Sequence, residues 1–490
     1  TATIDAAFIS KKVEELKKND KLIQDFVVGL PRLSQTQIFA NADTSLEYID
    51  HYGFDYDYTL ATYNSHLPHL IYDLGLRYLV EELGYPPELR SLKYDPNFAV
   101  RGLHIDKITG YMVKMDEYNK LQLPLYRGRY PITTQETVEA YGGMRVSSAY
   151  AKQNMLMLKD LFALPEACLY ADVTTALMNT KTDYHPSYVV NDISEAIEQM
   201  HETETLHKTI AIEPARYLQP NPDLVKYLTK LRESGKNVFL LTNSPFYFVD
   251  AGMRYLTGEL SSWTELFDVV VVKAQKPKFY HRKSHFRQVN PDGTLSLQPV
   301  KSFERGEVYT GGGLEEFHRL TGYSESRVIY MGDQIYSDLV EPQKAAQWKT
   351  AAIIKELAHE ILNMDCDGFR SELGKLLYIE GLVAEGQGIQ TIDDDIEWLK
   401  DERNRIRSNL KTKINPYFGS IFRTSTCRTS FFSHVGRFAD IYTSSINNFL
   451  KYPTNYCFYA NRSFFPHEAG FNNLETIMHH VLYNLDNVDQ

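Results

Sequence analysis

The chain has 490 residues, 43% of them hydrophobic and 23% charged, with a formal net charge of −11. That length is too great for one small core and calls for two or more domains of ordinary globular composition. The acidic balance excludes a general nucleic-acid or anionic-membrane binder, which needs a basic face, and leaves room for a local basic phosphate pocket.

No apolar run approaches the roughly 20 residues of a membrane helix. Cys168, Cys366, Cys427 and Cys457 lie far apart without a Cys-x-x-Cys spacing, so neither a disulfide framework nor a zinc site is indicated. A reducing compartment fits, with the cytoplasm expected. The chain begins at Thr1 rather than Met, so a trimmed targeting segment, and with it the mitochondrion, stays open.

In chain order, Ile4 to Leu16 carries apolar residues at helical spacing with Lys and Glu between, an exposed amphipathic helix expected only to pack. Ser34 to Asn41 leads into a short strand over Tyr48–Phe54, where β-branched, aromatic and polar residues mix. Leu67 to Leu83 reads as a helix ended by Gly84-Tyr-Pro-Pro87. Phe98–Ile105 and Tyr111–Met115 flank Asp106-Lys-Ile-Thr-Gly110, the pattern of a hairpin. From about Gln122 to about Ala215 the strand signal fades and helices dominate, most clearly over Val146–Phe162 and Ile193–His201.

Asp223–Ser234 is a helix closed by Gly235. Nearly continuous apolar runs follow at Lys236–Leu241, Phe267–Val272 and Arg327–Met331, with Trp348–Ile354 as a further candidate. Such runs mark parallel strands buried on both faces. Helical segments at Pro245–Leu256, Leu314–Leu320 and Asp338–Ala346 separate them, so the fold class is α/β, a doubly wound parallel sheet. Tyr309-Thr-Gly-Gly-Gly-Leu314 lacks the Lys-Ser/Thr of a phosphate-binding P-loop and reads as a glycine turn. Asp393–Lys413 is a charge-dense helix, a solvated face or a helix-pairing element. Phe418–His467 is rich in aromatics and Arg.

In an open α/β sheet, ligands sit at the carboxyl ends of the strands. There the residues turn polar. Asp55 and Asp57 flank Tyr56 at the end of the first strand and point the same way. Like charges so close are costly without a cation or a shared proton. The pair is either a polar strand end turning into a loop or a Mg²⁺ site with a carboxylate nucleophile beside a proton-handling carboxylate. Thr242-Asn243-Ser244-Pro245 closes the second buried run and opens a helix, either a plain N-cap or an anion site. Asp333 and Asp338 follow the run ending at Met331. Two carboxylate pairs at strand ends of one sheet are hard to explain without a cation.

Asp55-Tyr-Asp-Tyr-Thr-Leu60 resembles the first motif of the haloacid-dehalogenase-like phosphatases, Asp-x-Asp-x-Thr/Val. The longer Gly53–Ala61 stretch is similar to the cytosolic purine 5'-nucleotidases, and closer still to the 5'-nucleotidase domain-containing proteins. The likeness runs in pieces from about Ile38 to about His467. It implies a haloacid-dehalogenase-like core whose mainly helical insertion is a cap over the active site. The expected organisation is a lead-in over 1–46, a core over 47–121 and 216–365, a cap over 122–215, and a helical, aromatic-rich region over 366–490 packing on the core.

The resemblance also implies roles. Asp55 is the nucleophile and Asp57 the general acid and base. Mg²⁺ sits on Asp55, Asp333 and the backbone carbonyl of Asp57, with Asp338 completing the surroundings. Thr242 bonds a phosphate oxygen, and Asn243 and Ser244 line the pocket. Lys276 matches the Lys of the third motif, because Lys-Pro before an aromatic, here Phe279, is the family spacing; Lys273 competes. The implied substrate is a nucleoside 5'-monophosphate. Phe162 matches an aromatic that stacks on the base and His201 a residue of the segment that reads it. Ala163, Glu198, Ser194 and His207 replace the Asn, Asp, Arg and Lys of the purine enzymes, so weak or altered activity on IMP and GMP is expected. The purine enzymes are oligomers, and Gly419–Arg423 and Arg437–Tyr442 resemble pieces of their fold and subunit contacts, so a homo-oligomer is expected. Two alternatives stay open: a catalytically weak scaffold that binds a protein partner, and a phosphatase of sugar phosphates or phosphoproteins.

Overall fold

The computed structural model describes residues 6–18, 32–258, 260, 262–387, 389, 392–462 and 467–468. Ile4 of the expected first helix, and residues 469–490 of the C-terminal region, lie outside the described residues.

The doubly wound sheet is present. Its strands run in the order Phe39–Ala40, Ile441–Thr443, Lys349–Ile353, Val328–Gly332, His51–Phe54, Asn237–Leu241, Val269–Val272, Val308–Gly311 and Phe286–Val289. All neighbours pair in parallel except the two outermost, which pair antiparallel. Alternation across the pleat makes two cores from one strand. Val238 and Leu240 face a cluster with Tyr52, Phe54, Leu228 and Phe449, whereas Phe239 and Leu241 face one with Tyr330, Phe317 and Trp348. Gly53 is required between them, because a Cβ there would lie 2.2 Å from the ring of Phe239.

His51–Phe54 sits where the winding reverses. The chain moves from it to Asn237–Leu241 and Val269–Val272 on one side, then returns to Val328–Gly332 and Lys349–Ile353 on the other. The register aligns the strand ends: Phe54 lies opposite Met331 and Leu240. Asp55, Thr242 and Asp333 therefore leave the sheet at one edge, beside the reversal point where such folds bind ligands.

A second sheet is antiparallel, in the order Tyr130–Ile132, Leu121–Arg127, Tyr111–Met115, His104–Asp106 and Met155–Met157. The hairpin is thus as expected, but it continues into the 122–215 segment. A boundary between 121 and 122 would cut the strand Leu121–Arg127, and the expected helix over Val146–Phe162 is a short helix, Ser148–Asn154, followed by the strand Met155–Met157. Lys114, Gln122 and Arg127 sit in these strands and hide the alternation that would have marked them. Helices His66–Glu81, Ala163–Asn179 and Pro186–Glu202 pack against one another.

Ala6–Lys18 packs against Asp367–Gly386 and Asp393–Ile414 through Ile9, Val13, Ile379 and Leu399, so the charge-dense helix is a pairing element. The C-terminal region does more than pack on the core, since Ile441–Thr443 is a strand of the main sheet. Its rings Phe418, Phe431, Phe438, Phe449 and Phe458 are buried within the chain. Among the described residues no helix is long and apolar enough to cross a membrane.

Candidate active site

Asp55 is buried where the central strand ends, its backbone N–H donating to the Met331 carbonyl at 2.9 Å. Asp333 and Asp338 approach from the neighbouring strand. The loop after Gly332 folds back as a π-helical turn over Ile335–Val340, bringing Asp338 beneath the strand end. Gly332 makes this possible, because a Cβ there would lie 2.4 Å from that of Asp338. Carboxylate oxygens of Asp55, Asp333 and Asp338 all lie within 4.8 Å of one another.

Two buried cations face this cluster. The Lys276 ammonium donates to Asp55 Oδ1 at 2.9 Å, to Asp338 Oδ1 at 2.7 Å and to the Tyr330 hydroxyl at 2.7 Å. Burial alone would lower its pKa, but Asp338 and Asp55 hold it above its ordinary value. The fully buried Arg101 guanidinium donates from Nη1 to the Asp333 carbonyl at 3.1 Å, and the same nitrogen lies 3.7 Å from Asp333 Oδ2. Glu356 holds it with both carboxylate oxygens, at 2.7 and 2.6 Å. Burial pushes the Asp55 carboxyl up to about 7 against the pull of Lys276, and burial likewise raises Asp333 against Arg101.

Asp57 stands apart from the cluster. Its Oδ1 accepts from the Tyr63 hydroxyl and its Oδ2 from Ser244 Oγ, each at 2.5 Å. Thr242 is fully buried; its Oγ1 accepts the Ser244 N–H at 3.2 Å, which leaves its proton free for another acceptor. The Asn243 carboxamide clamps the Lys276 backbone, donating to the carbonyl at 2.9 Å and accepting the N–H at 2.6 Å. A two-point amide clamp fixes the loop that carries Lys276. Lys273, the competing lysine, points outward to Glu204 at 3.1 Å.

The insertion supplies a second wall. Phe162 precedes the helix Ala163–Asn179, and its ring meets Tyr58 edge-on at 5.0 Å, Tyr63 at 6.0 Å and His201 at 6.4 Å. His201 lies 5.6 Å from His207, which meets Phe248 at 4.8 Å. Burial lowers the His207 pKa while the charge of Asp57 opposes it. His207 Nδ1 is buried without a hydrogen-bond partner. Ser194 donates to Glu166 Oε1 at 2.8 Å.

The structure thus gathers Asp55, Asp57, Thr242, Ser244, Lys276, Asp333 and Asp338 at one sheet edge, with Phe162 against Tyr63, which bonds Asp57, and His201 beside Phe162. Sequence reasoning missed Arg101, Glu356, Tyr63 and Tyr330. Tyr330 hides inside an apolar run. Arg101 lies 232 residues from Asp333, and no local pattern signals it.

The sequence profile of the 5' nucleotidase family matches residues 38–470. A 5'-nucleotidase domain-containing protein of Dictyostelium discoideum is 38% identical over 467 residues, which span 94% of this chain and 79% of that protein. 5'-Nucleotidase domain-containing protein 2 of Homo sapiens is 35% identical over 449 residues, 89% of this chain and 86% of that protein. Among solved structures, a haloacid dehalogenase-like hydrolase from Bacteroides fragilis covers 62% of this chain and 87% of its own at 14% identity, with a TM-score of 0.25, an overlap too slight to bear on function.

Proposed function

Because the chain belongs to the 5' nucleotidase family, we propose that it hydrolyses a phosphate monoester, a nucleoside 5'-monophosphate, through an aspartyl-phosphate at Asp55. The observation that carries the reading is the buried triplet Asp55, Asp333 and Asp338 with Lys276 bonded to two of its members. Structural ion pairs rarely gather three buried carboxylates around one lysine that bonds two of them and an arginine that faces the third, whereas a phosphoryl-transfer site needs that set.

Asp55 attacks phosphorus as the bond to the leaving oxygen breaks. Asp57 gives that oxygen a proton, then takes one from the water that displaces phosphate from Asp55. Tyr63 and Ser244 hold both Asp57 oxygens, which aims the carboxylate. When Asp57 carries its proton, one of these hydroxyls turns from donor to acceptor, a change that a hydroxyl makes without moving its oxygen. Thr242 offers its free O–H to a phosphate oxygen, and Lys276 adds positive charge beside it.

The triplet fits Mg²⁺, since buried carboxylate oxygens gathered this closely suit a hard cation. Asp55 and Asp333, with the Asp57 carbonyl, would hold the ion and Asp338 would flank it. When bound, it neutralises phosphate charge as the carboxylate approaches.

For the substrate, stacking on Phe162 needs only a ring face. The Ser194 hydroxyl is already given to Glu166, so it does not replace a cationic donor to an oxypurine. Weak or altered activity on IMP and GMP follows, with His201 and Phe162 lining the pocket. A homo-oligomer is also part of this reading. Its C-terminal support is the half-buried Phe422, Phe432, Tyr442 and Tyr452 and the exposed Tyr456 and Tyr459, and a monomer mass by light scattering would remove it. The function is tested by screening the purified protein against phosphate monoesters with Mg²⁺. Release of phosphate, best from a nucleotide, is expected; a folded protein inert to all of them would leave the scaffold alternative.

A further inference from the structure

We infer that Lys355 and Glu356, adjacent residues on no motif, form a positioning clamp that holds the two halves of the site separately: Glu356 through Arg101 to Asp333, and Lys355 through Tyr63 to Asp57. The inference rests on the proposed phosphatase reading and assigns it two further positioning residues.

The dipeptide leaves the strand Lys349–Ile353, which pairs with the strand that ends before Asp333. Glu356 opens the helix Glu356–Met364 and takes Arg101 by both oxygens. Arg101 has little freedom. Its guanidinium lies 5.0 Å over the Phe431 ring, and Gly102 behind it has a φ of 84° and passes so close that a Cβ would meet Phe431 Cβ at 2.5 Å. Held from these sides, Nη1 fixes the Asp333 carbonyl and faces its carboxylate. A bidentate carboxylate is what sets a guanidinium plane, so Glu356 orients a cation that in turn orients Asp333.

Lys355 turns the other way. Its ammonium donates to the Tyr63 carbonyl at 2.5 Å, and the Tyr63 hydroxyl is one of the donors on Asp57. Side-chain partners just outside a metal or catalytic group commonly tune it in this manner. A buried salt bridge serving only the fold would show no such division, and the division is what the experiment reads.

The probe is Mn²⁺ alone, its binding followed by loss of the free-ion electron paramagnetic resonance signal, with p-nitrophenyl phosphate turnover measured in parallel. Glu356→Gln should weaken Mn²⁺ binding by about 10–100-fold. Because it strands a buried Arg101, the double variant Arg101→Met/Glu356→Leu removes the pair as a unit, keeps the fold, and should show the same loss. Lys355→Met should keep wild-type Mn²⁺ affinity and unchanged KM while kcat falls about tenfold, and Lys355→Arg should restore it. Wild-type Mn²⁺ affinity in the folded double variant would overturn the clamp, as would Lys355→Met weakening Mn²⁺ as much as Glu356→Gln does. A wild-type protein that binds no Mn²⁺ would sink the phosphatase reading and the clamp with it.

Discussion

The edge of the sheet and the wall of the insertion meet at Tyr58 and Tyr63 and are built on opposite terms. At the edge, Asp55, Asp333 and Asp338 are buried and bonded to Lys276 or Arg101, which are themselves held by Glu356 and Asn243. In the insertion, Phe162 and His201 meet their neighbours through ring edges, and His207 Nδ1 has no partner. Charges out of water must be fixed by partners, whereas ring contacts tolerate substitution. The difference supports the proposal that the chemistry lies at the edge and substrate choice at the wall.

Asp55→Asn breaks the edge most completely. It should lower turnover about a thousandfold or more while circular dichroism stays that of the wild type; undiminished phosphate release would remove Asp55 from the chemistry. Lys276→Met should follow, leaving Asp55 and Asp338 buried without their ammonium and costing about 3–5 kcal/mol by denaturant unfolding. A variant as stable as wild type would mean that the edge is less tightly coupled than its contacts indicate.

Glu360 sharpens the comparison from within the same helix as Glu356. It is buried, accepts the Ser420 hydroxyl, and burial pushes it up to about 7 from an ordinary 4.5. The folded chain keeps this proton where the unfolded chain has released it, so stability falls as pH rises from about 4.5 to about 7. Glu360→Gln should flatten that slope and gain about 1–3 kcal/mol at pH 7.5, with no gain at pH 4.5; unfolding curves at the two pH values decide it. Phe162→Ala tests the wall and should be mildest. KM for nucleotides should rise by up to about tenfold with kcat kept, and KM for glycerol phosphate, which has no ring, should not move.

The same contrast explains what the sequence revealed. Buried parallel strands such as Asn237–Leu241 and Val269–Val272 carry their signal locally, as apolar runs, and a carboxylate at such a run's end is conspicuous. Asp55 and Asp333 were therefore legible, whereas Lys276 was chosen over Lys273 only by the family's Lys-Pro spacing before an aromatic. Arg101 and Glu356 were not, because each acts through a partner far away in the chain, and Tyr63, though only 6 residues from Asp57, sits on no motif. The strand Ile441–Thr443 is too short to show a period, and the second sheet mixes Lys114, Gln122 and Arg127 into its strands. Asn243 was found by its place after a strand, yet its side chain serves the neighbouring loop, a use that spacing does not encode.

The proposed intermediate is covalent, so it can be trapped by quenching wild-type protein in acid during turnover of a phosphate monoester and mapping the phosphoryl group by mass spectrometry. An adduct is expected on the peptide containing Asp55, absent from Asp55→Asn and accumulating when Asp57→Asn slows its hydrolysis. Phosphate release with the adduct on another residue, or with none in either protein, would contradict it.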